Sequence, residues 1–442
     1  MTKPQAWLDG RRLLWLGSAI FVLLGATIEI GSPFALIDFK AIYYGARCVI
    51  QHQDPYQPSD FLAVFQNEGG TFPSEPVAAR SVRQAVPICI NLPSTLFLVA
   101  PLAAAPWSVA AAIWMLMTAA GLVLAAFLVW DVAGAHAPRL SGGLAFLLLA
   151  NSELLLVVGN ASGIVVSLCV IAVWCLLRER FVFAGLACLA VGLVIKPQDT
   201  GLVWLYFLLA GGRHSRRALQ TALMAAGIAV VAMLWVTPVS PHWAQELQMN
   251  VAATSARGGL NDPGPASLGG HGLGMVISLQ APLSLIRDEP HFYNPIAWIV
   301  CAVLISIWPI YVMRGTLRGR LSPQSDWFMI AAIAALTMLP FYHRSYDARL
   351  LLLTIPACAM LWREHGRVRW YAVLVTGTAI LCTGDLFWAA ALLLIKNAPF
   401  APSLPRIVIT AIQVFPAPLS LLAASVFYLW IFLRRGATQI DP

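Results

Sequence analysis

Charged residues are scarce in this chain of 442 residues: they make up 11% of it, whereas hydrophobic residues make up 59%. Together with a mean hydropathy of +0.76, this balance excludes an ordinary soluble globular protein. Apolar windows of about 20 residues, the length that a transmembrane helix needs, recur from Leu13 to the C-terminus. The sequence therefore predicts an all-α polytopic membrane protein.

Common metal and nucleotide motifs are missing as well. The predicted outer loops contain no D-x-D pair, and the chain has no H-E-x-x-H motif, no P-loop and no Cys or His set with zinc spacing. We therefore expect no cofactor and a metal-independent reaction. The eight cysteines form no C-x-x-C pair, and only Cys48 and Cys89 fall in a predicted outer loop, where a disulfide between them remains open.

The positive charge of the chain is distributed as in a membrane protein. Its net charge of +8 comes from basic residues in short loops between apolar segments, such as "RER" (178–180), "RHSRR" (213–217) and "REHGRVR" (363–369). Basic residues in short loops mark the cytoplasmic side of a membrane. We therefore predict no nucleic-acid partner, and membrane lipids as the surroundings.

Twelve spans are predicted, with both termini in the cytoplasm and the protein in a cell inner or plasma membrane. They are 13–30, 108–130, 141–158, 161–177, 181–195, 199–211, 217–236, 294–313, 326–340, 348–362, 369–388 and 406–433. The apolar segment 88–104 is excluded, because counting it would place the basic loops on the side of the long loops. It is predicted as a re-entrant or interfacial helix.

The chain is predicted as a single integral membrane domain, 1–442, with two long outer loops. These loops cover 31–107 and 237–293, whereas the predicted inner loops are short. Long loops on one side suggest chemistry on the outer face.

An amphipathic helix is predicted at the start of the first outer loop. Between Asp38 and Gln51, apolar residues recur at three- and four-residue spacing, which is typical of a helix on the membrane surface. Asp38 stands at its first position, either as an N-cap or as a carboxylate that meets a lipid-linked substrate at the bilayer rim. Tyr43 in this helix is a candidate substrate contact. Asp54-Pro-Tyr56 is predicted to end it with a turn, with Tyr56 at the membrane interface.

Two further segments carry polar residues at predicted outer span ends. Lys196, before a helix-breaking proline, can bind the phosphate of a lipid-phosphate-sugar or simply reach the interface, and Asp199 is its candidate ion-pair partner. In "FYHRSYD" (341–347), His343 and Arg344 can donate to phosphate oxygens, while Tyr346 and Asp347 can orient them or contact sugar hydroxyls. The alternative is a structural Arg344–Asp347 salt bridge that caps the next helix.

Two polar residues lie in or beside the predicted span 141–158. Glu153 is expensive inside a membrane unless it is paired or faces a cavity, and we interpret it as a hydrogen-bonded helix contact. Asn160, just beyond the span, is a candidate for sugar binding.

The order of several motifs resembles glycosyltransferase family 87. These motifs are an N-terminal span followed by "DFKAIYYGARCVIQHQDPYQP", "NLPSTLFLVAPLAAAPW", "GNASG", "GLACLAVGLVIKPQ" and "FYHRSYDARLLLLTIP". The resemblance implies a GT-C-type membrane enzyme that transfers a hexose, mannose above all, from a polyprenyl-phosphate-linked donor to a hydroxyl of a glycan or glycolipid, with inversion. It further implies that Asp38 is the general base and that His343 helps to bind the donor. The chain differs from the family pattern at Leu92-Pro93-Ser94 and at Gly159-Asn160.

Two other functions remain open at this point. An enzyme like an O-antigen ligase or polymerase would use a pyrophosphate-linked glycan and would need several basic residues in a large outer loop, where 237–293 has Arg257 and Arg287. A polytopic transporter would place ionisable residues near the middle of the membrane, whereas the candidates here lie at span ends.

Overall fold

The computed structural model describes residues 3–264, 276–317, 322–364, 366–390 and 414–438, and this part of the chain is almost entirely helical. Its helices are α1 (Lys3–Gly31), α2 (Ile37–Ile50), α3 (Pro58–Asn67), α4 (Pro76–Ala85), α5 (Pro93–Ala103), α6 (Trp107–Ala133), α7 (Pro138–Leu149), α8 (Leu154–Val158), α9 (Ser162–Arg178), α10 (Val182–Ile195), α11 (Pro197–Leu209), α12 (Gly212–Val236), α13 (Trp243–Ser255), α14 (Gln280–Ser284), α15 (Pro290–Leu317), α16 (Pro323–Leu336), α17 (Thr354–Arg363), α18 (Val368–Cys382) and α19 (Pro416–Thr438). A 3₁₀ helix, Ser345–Leu353, precedes α17.

Within these residues, six helical segments are long and apolar enough to cross a membrane. They are Gln5–Gly31, Trp107–Ala133, Pro138–Val158, Gly212–Val236, Pro290–Leu317 and Pro416–Arg435. Each overlaps one of the twelve predicted spans, although residues 406–413 of the last predicted span lie outside the described residues. The protein is therefore an all-α membrane protein, but the count of twelve is not confirmed.

The other six predicted spans correspond to shorter helices, some of them largely buried and others partly exposed. Helix α9 is 17 residues long, about 26 Å, and α10 is 14 residues long, about 21 Å, whereas a hydrocarbon core is about 30 Å thick. Most residues of α9 are buried, whereas in an apolar 18-residue window only 22% of the α12 residues and 28% of the α1 residues are. Hydropathy alone does not separate a helix surrounded by protein from one surrounded by lipid, so the sequence does not determine the number of spans.

Close contacts between small residues hold α1 against α7 and α8. A Cβ added to Gly10 would lie 2.2 Å from Pro138 O, and one added to Gly25 would lie 2.8 Å from Leu156 Cδ1. Successive contacts along both segments run in the same direction, so α1 and α8 end at the same end of the protein. Small residues at such seams allow helix backbones to approach closely.

Helix α2 confirms the predicted helix but not its setting. Its apolar residues pack inside the protein, against α3, α5 and α8, rather than on a lipid surface. The helix begins at Ile37, and its N-cap is Leu36, which makes no side-chain cap, so Asp38 is the second residue and the N-cap interpretation is wrong. Helix α5, inside the segment 88–104, has 11 residues and is too short to span a bilayer.

The Asp-Pro-Tyr turn forms as predicted, but it faces the protein interior. Asp54 Oδ1 accepts a 2.8 Å hydrogen bond from the N–H of Tyr56. The Tyr56 side chain is buried and donates to Asn91 O at 2.8 Å, so it does not lie at a membrane interface. Cys48 and Cys89 are both buried and are free thiols.

Candidate active site

Asp38 is held by a side chain from the corner between α8 and α9. Its Oδ2 accepts a 2.7 Å hydrogen bond from Asn160 Nδ2. Burial raises the pKa of Asp38, and the guanidinium of Arg344 and the amide of Asn160 only partly oppose this shift. A carboxylate with a raised pKa is a stronger base than an exposed one, which suits it to accept a proton near neutral pH.

Asn160 links Asp38 to the rest of the site. Its Nδ2 also lies 3.0 Å from the hydroxyl of Tyr346. Its Oδ1 accepts from the N–H of Ser162 at 2.9 Å and lies 2.7 Å from the Ser162 hydroxyl. Ser162 in turn hydrogen-bonds to both Asp347 and Lys196. A continuous polar network therefore runs from Asp38 to the ion pair of Lys196.

Lys196 sits where helix α10 ends and α11 begins, because Pro197 cannot continue the α10 hydrogen-bond pattern. Its Nζ lies 2.9 Å from Asp347 Oδ1 and 3.6 Å from Asp199 Oδ2. Burial alone would lower the pKa of Lys196, but these two carboxylates outweigh burial and raise it. The predicted Lys196–Asp199 pair is thus present, but Asp347 lies closer to Lys196 than Asp199 does.

His343 is enclosed between two acceptors. Its Nε2 lies 3.0 Å from Asp199 Oδ1, and its Nδ1 lies 3.0 Å from Phe341 O. A carboxylate and a carbonyl only accept, so both ring nitrogens are satisfied only when the imidazole is doubly protonated. Burial would lower the pKa of His343, but the hydrogen bond to Asp199 and the nearby Asp347 raise it. Neither nitrogen is free for a phosphate in this arrangement.

Asp199, His343 and Asp347 are also close enough to hold a cation together. One ligand atom from each lies within 4.8 Å of the others, and all three residues are buried. The ammonium of Lys196 lies beside Asp347 and Asp199 and supplies positive charge there. The group is therefore already compensated by the protein's own charges.

Arg344 is the cation that faces open space. Its Nη2 donates to Leu260 O at 2.8 Å and its Nε to the hydroxyl of Tyr342, and among the described residues it has no carboxylate within salt-bridge distance. Asp347 caps the 3₁₀ helix through the N–H of Arg344, at 2.8 Å, rather than through its guanidinium. Arg344 and Asp38 line the same narrow pocket; its lining residues are Phe34, Ile37, Asp38, Ala85, Leu154, Val158, Leu260, Arg344 and Tyr346.

Two expectations from the sequence do not fit this site. Tyr43 lies apart from the network, because its hydroxyl donates to Ala105 O at 2.8 Å and its ring packs against Trp107. Glu153 is buried, but among the described residues neither of its carboxylate oxygens has a hydrogen-bond partner, so the predicted hydrogen-bonded contact is not found there. The other candidates, Asp38, Asn160, Lys196, His343, Arg344, Tyr346 and Asp347, all come together.

Ser162 and Tyr342 are the site residues that sequence reasoning missed. Both lie inside motifs already singled out, "GNASG" and "FYHRSYD". Serine and tyrosine are common in ordinary helix contacts, so their residue types carry little signal. Only the convergence of Ser162 with Asn160, Lys196 and Asp347 shows its place.

One family of known proteins matches the chain. The family model of glycosyltransferase family 87 matches residues 90–339, which is more than half of the chain. The matched segment contains Asn160, Ser162, Lys196 and Asp199, but it begins after Asp38 and ends before His343. No curated protein and no solved structure matches the chain.

Proposed function

The chain belongs to glycosyltransferase family 87 and is a membrane glycosyltransferase, and we propose that it transfers a hexose, specifically mannose, from a polyprenyl-phosphate-linked donor to an acceptor hydroxyl. The acceptor is a glycan or glycolipid in this proposal, and the reaction needs no metal. The observation that carries it is the cavity shared by Asp38 and Arg344, a base and a phosphate-binding cation.

The proposed reaction is a single displacement of the GT-C type. Asp38 takes the proton of the acceptor hydroxyl, and the hydroxyl oxygen attacks the anomeric carbon of the donor. The bond from that carbon to the phosphate oxygen breaks, and the lipid phosphate leaves with the electron pair. Attack opposite the leaving group inverts the anomeric centre. A positioned carboxylate base contributes roughly 10²–10⁴-fold to such a step.

Arg344 is the proposed phosphate ligand. Guanidinium groups bind phosphate oxygens through paired N–H donors, and Arg344 has no carboxylate within salt-bridge distance in the described part of the chain. Lys196 and His343, by contrast, are already paired with Asp347 and Asp199. They hold the site together and set its charge instead of binding the donor directly.

The charge balance favours a donor with a single phosphate. A pyrophosphate-linked glycan carries more negative charge and needs more than one open cation, whereas Arg344 is the cation that lines the cavity. This argues against the O-antigen-ligase-like or polymerase-like alternative. Membership of a glycosyltransferase family argues against the transporter.

The distribution of charge along three helices supports an active site on the outer face. Helix α1 has Lys3, Arg11 and Arg12 in its first half and ends near Asp38; α10 follows Arg178 and Arg180 and ends just before Lys196. The third segment is the 3₁₀ helix together with α17, which has Asp347 near its start and the basic Arg363 at its end. Basic residues mark the cytoplasmic side, so the opposite ends of these helices face outward. By the same rule both termini are cytoplasmic, in a cell inner or plasma membrane.

The test is sugar transfer in membranes supplied with radiolabelled polyprenyl-phosphate-mannose. We expect the wild type to label a product and Asp38→Asn at matched expression to lose about 10²–10⁴-fold of this activity, because asparagine cannot act as a base. Asp60→Asn, an outer-loop acid that does not line the cavity, is the matched control and keeps the activity. Equal transfer by Asp38→Asn would reject Asp38 as the base. Transfer from a polyprenyl-pyrophosphate glycan alone would reject the donor.

A further inference from the structure

The corner that carries Asn160 is docked directly on the start of α2. Gly159 has φ +66°, and a Cβ at this position would lie 2.8 Å from Leu36 Cδ2 and 3.0 Å from Phe39 Cβ. The N–H of Leu36 donates to Val157 O at 2.7 Å. Glycine both permits the left-handed conformation and leaves room for α2. The two segments are therefore fixed relative to each other at the residues flanking Asp38.

Trp114 contacts both α2 and the corner between α8 and α9. Its ring stacks on Phe39, with centroids 4.4 Å apart and an interplanar angle of 17°. Its Nε1 donates to Gly159 O at 2.9 Å, in the residue before Asn160. A single buried side chain thus contacts the neighbour of Asp38 and the neighbour of Asn160, which fixes the distance between them.

Both donors of the Asn160 amide are engaged by protein groups. Its Oδ1 accepts from the N–H of Ser162, which can only donate, so the atom that faces Asp38 is Nδ2. The two hydrogens of Nδ2 face Asp38 Oδ2 and the hydroxyl of Tyr346. A primary amide has two donors and one acceptor oxygen, and here each has a protein partner.

We propose that Asn160 is a positioning residue, which holds the carboxylate of Asp38 in place for the acceptor hydroxyl and does not contact the sugar. The inference rests on the proposed function, in which Asp38 is the base. Because the amide donates to the charged carboxylate, it also favours ionised Asp38. The role therefore differs from the sugar-binding role that the sequence suggested for Asn160.

The charge around Asp38 determines what loss of this amide does. Arg344 and Lys196 attract its negative charge, Asp347 repels it, and the hydroxyls of Tyr342 and Tyr346 are nearby. These groups remain when Asn160 is replaced. Removal of a hydrogen bond to the ionised form raises the pKa of a carboxyl, so the acidic limb of the pH–activity profile moves to higher pH.

The experiment uses the full chain, purified in lipid nanodiscs, with radiolabelled polyprenyl-phosphate-mannose. Asn160→Ala and Asn160→Leu both remove the donor, and leucine keeps most of the volume in case alanine impairs folding. We expect kcat to fall at least about 10-fold, the acidic limb to move up by about one to two pH units, and the KM for the donor to change by less than about twofold.

The matched control is Asn250→Ala. The amide of Asn250 is likewise buried and donates at 3.0 Å to Tyr56 O and at 3.0 Å to Cys89 O, but it lies outside the site. We expect this change to affect thermal stability and to leave the acidic limb in place. A raised KM with an unmoved limb in the Asn160 variants would overturn the proposal and return Asn160 to sugar binding. An equal shift in Asn250→Ala would overturn it as well.

A second readout does not depend on catalysis. A hydrophobic carbodiimide reacts with protonated carboxyl groups, so the pH midpoint of Asp38 labelling, read by peptide mass spectrometry, reports its protonation. We expect a higher midpoint in both Asn160 variants than in the wild type, and an unchanged midpoint would overturn the inference. If the midpoint moves while the wild type transfers no sugar from any polyprenyl-linked donor, the positioning contact stands and the proposed function falls.

Discussion

Arg344 and Arg349 lie five residues apart in the same polar run, yet the fold gives them different surroundings. Arg344 faces the cavity beside Asp38 and has no carboxylate partner among the described residues. Arg349 is only 1% exposed, and its Nη2 lies 2.8 Å from Asp385 Oδ1 and also donates to Asn151 O, while its Nη1 donates to Thr383 O at 3.1 Å. One guanidinium is open to a ligand, and the other is surrounded by protein.

The difference shows how to separate a structural ion pair from a ligand-binding cation. Asp385 Oδ2 also accepts the N–H of Leu154 at 2.7 Å, so the Arg349 cluster ties the 3₁₀ helix to the α7–α8 and α18 ends. All of these partners belong to the protein. In the Lys196 cluster, formed by Lys196, Asp199, His343 and Asp347, the two carboxylates and the imidazole are also buried, but this cluster continues through Ser162 and Asn160 to a cavity. Burial alone therefore does not identify the site. What identifies it is Arg344, a cation without a salt bridge among the described residues, at the cavity.

The strongest test of this comparison is Arg349→Met. Removing one partner of a buried ion pair leaves Asp385 without its countercharge and typically costs about 3–5 kcal/mol of folding free energy. We expect a large fall in the thermal unfolding midpoint in detergent, with near wild-type transfer activity per folded molecule at low temperature. An unchanged midpoint would show that the Arg349 cluster contributes little to stability.

The same substitution at Arg344 should have the opposite profile. Arg344→Met removes the proposed phosphate ligand, and hydrogen bonds to a charged group are worth about 1.5–3 kcal/mol, so kcat/KM should fall by about 10–150-fold, mainly through the KM for the lipid donor. The unfolding midpoint should stay close to that of the wild type. Arg344→Lys keeps the charge but not the fork of donors and should recover part of the activity. A loss of stability equal to that of Arg349→Met would show that Arg344 is a structural arginine as well.

The smallest expected effect is on the pH dependence of stability. The Lys196 cluster contains a histidine that titrates, whereas the arginine of the Arg349 cluster does not. The pKa of His343 is raised in the folded protein against burial, by the bond to Asp199 and by the charge of Asp347, while Lys196 opposes this. A raised pKa stabilises the fold fully below the unfolded value, about 6.5, and this contribution is lost as the pH rises through the folded value. His343→Gln should remove that dependence.

The measurement is the unfolding midpoint of wild type and His343→Gln between pH 5 and pH 9, at roughly half-unit steps around the histidine range. His136 is a control with the opposite sign, because burial and the neighbouring Arg363 lower its pKa, so its contribution is lost as the pH falls. Identical pH profiles for wild type and His343→Gln would contradict an imidazolium at His343.

Much of the candidate site was accessible from the sequence. Asp38, Lys196 and the run from His343 to Asp347 were chosen because ionisable residues are rare beside apolar segments, and they do converge. How these residues pair with one another could not be predicted from the sequence. Lys196 looks like a phosphate ligand in the sequence, but in the fold Asp347 and Asp199 neutralise it. Arg349 escaped notice because no sequence pattern connects it with Asp385.

The sequence by itself determined the all-α membrane class and the motifs of the family, because hydropathy and short motifs are properties of the chain. Only the tertiary structure decided which apolar helices are buried by protein, since lipid and a protein core select the same residues. It also decided that Asn160 contacts Asp38 over a sequence separation of 122 residues. Such contacts depend on how helices pack, and a close approach like that of Gly159 on Leu36 leaves no periodic pattern in the sequence.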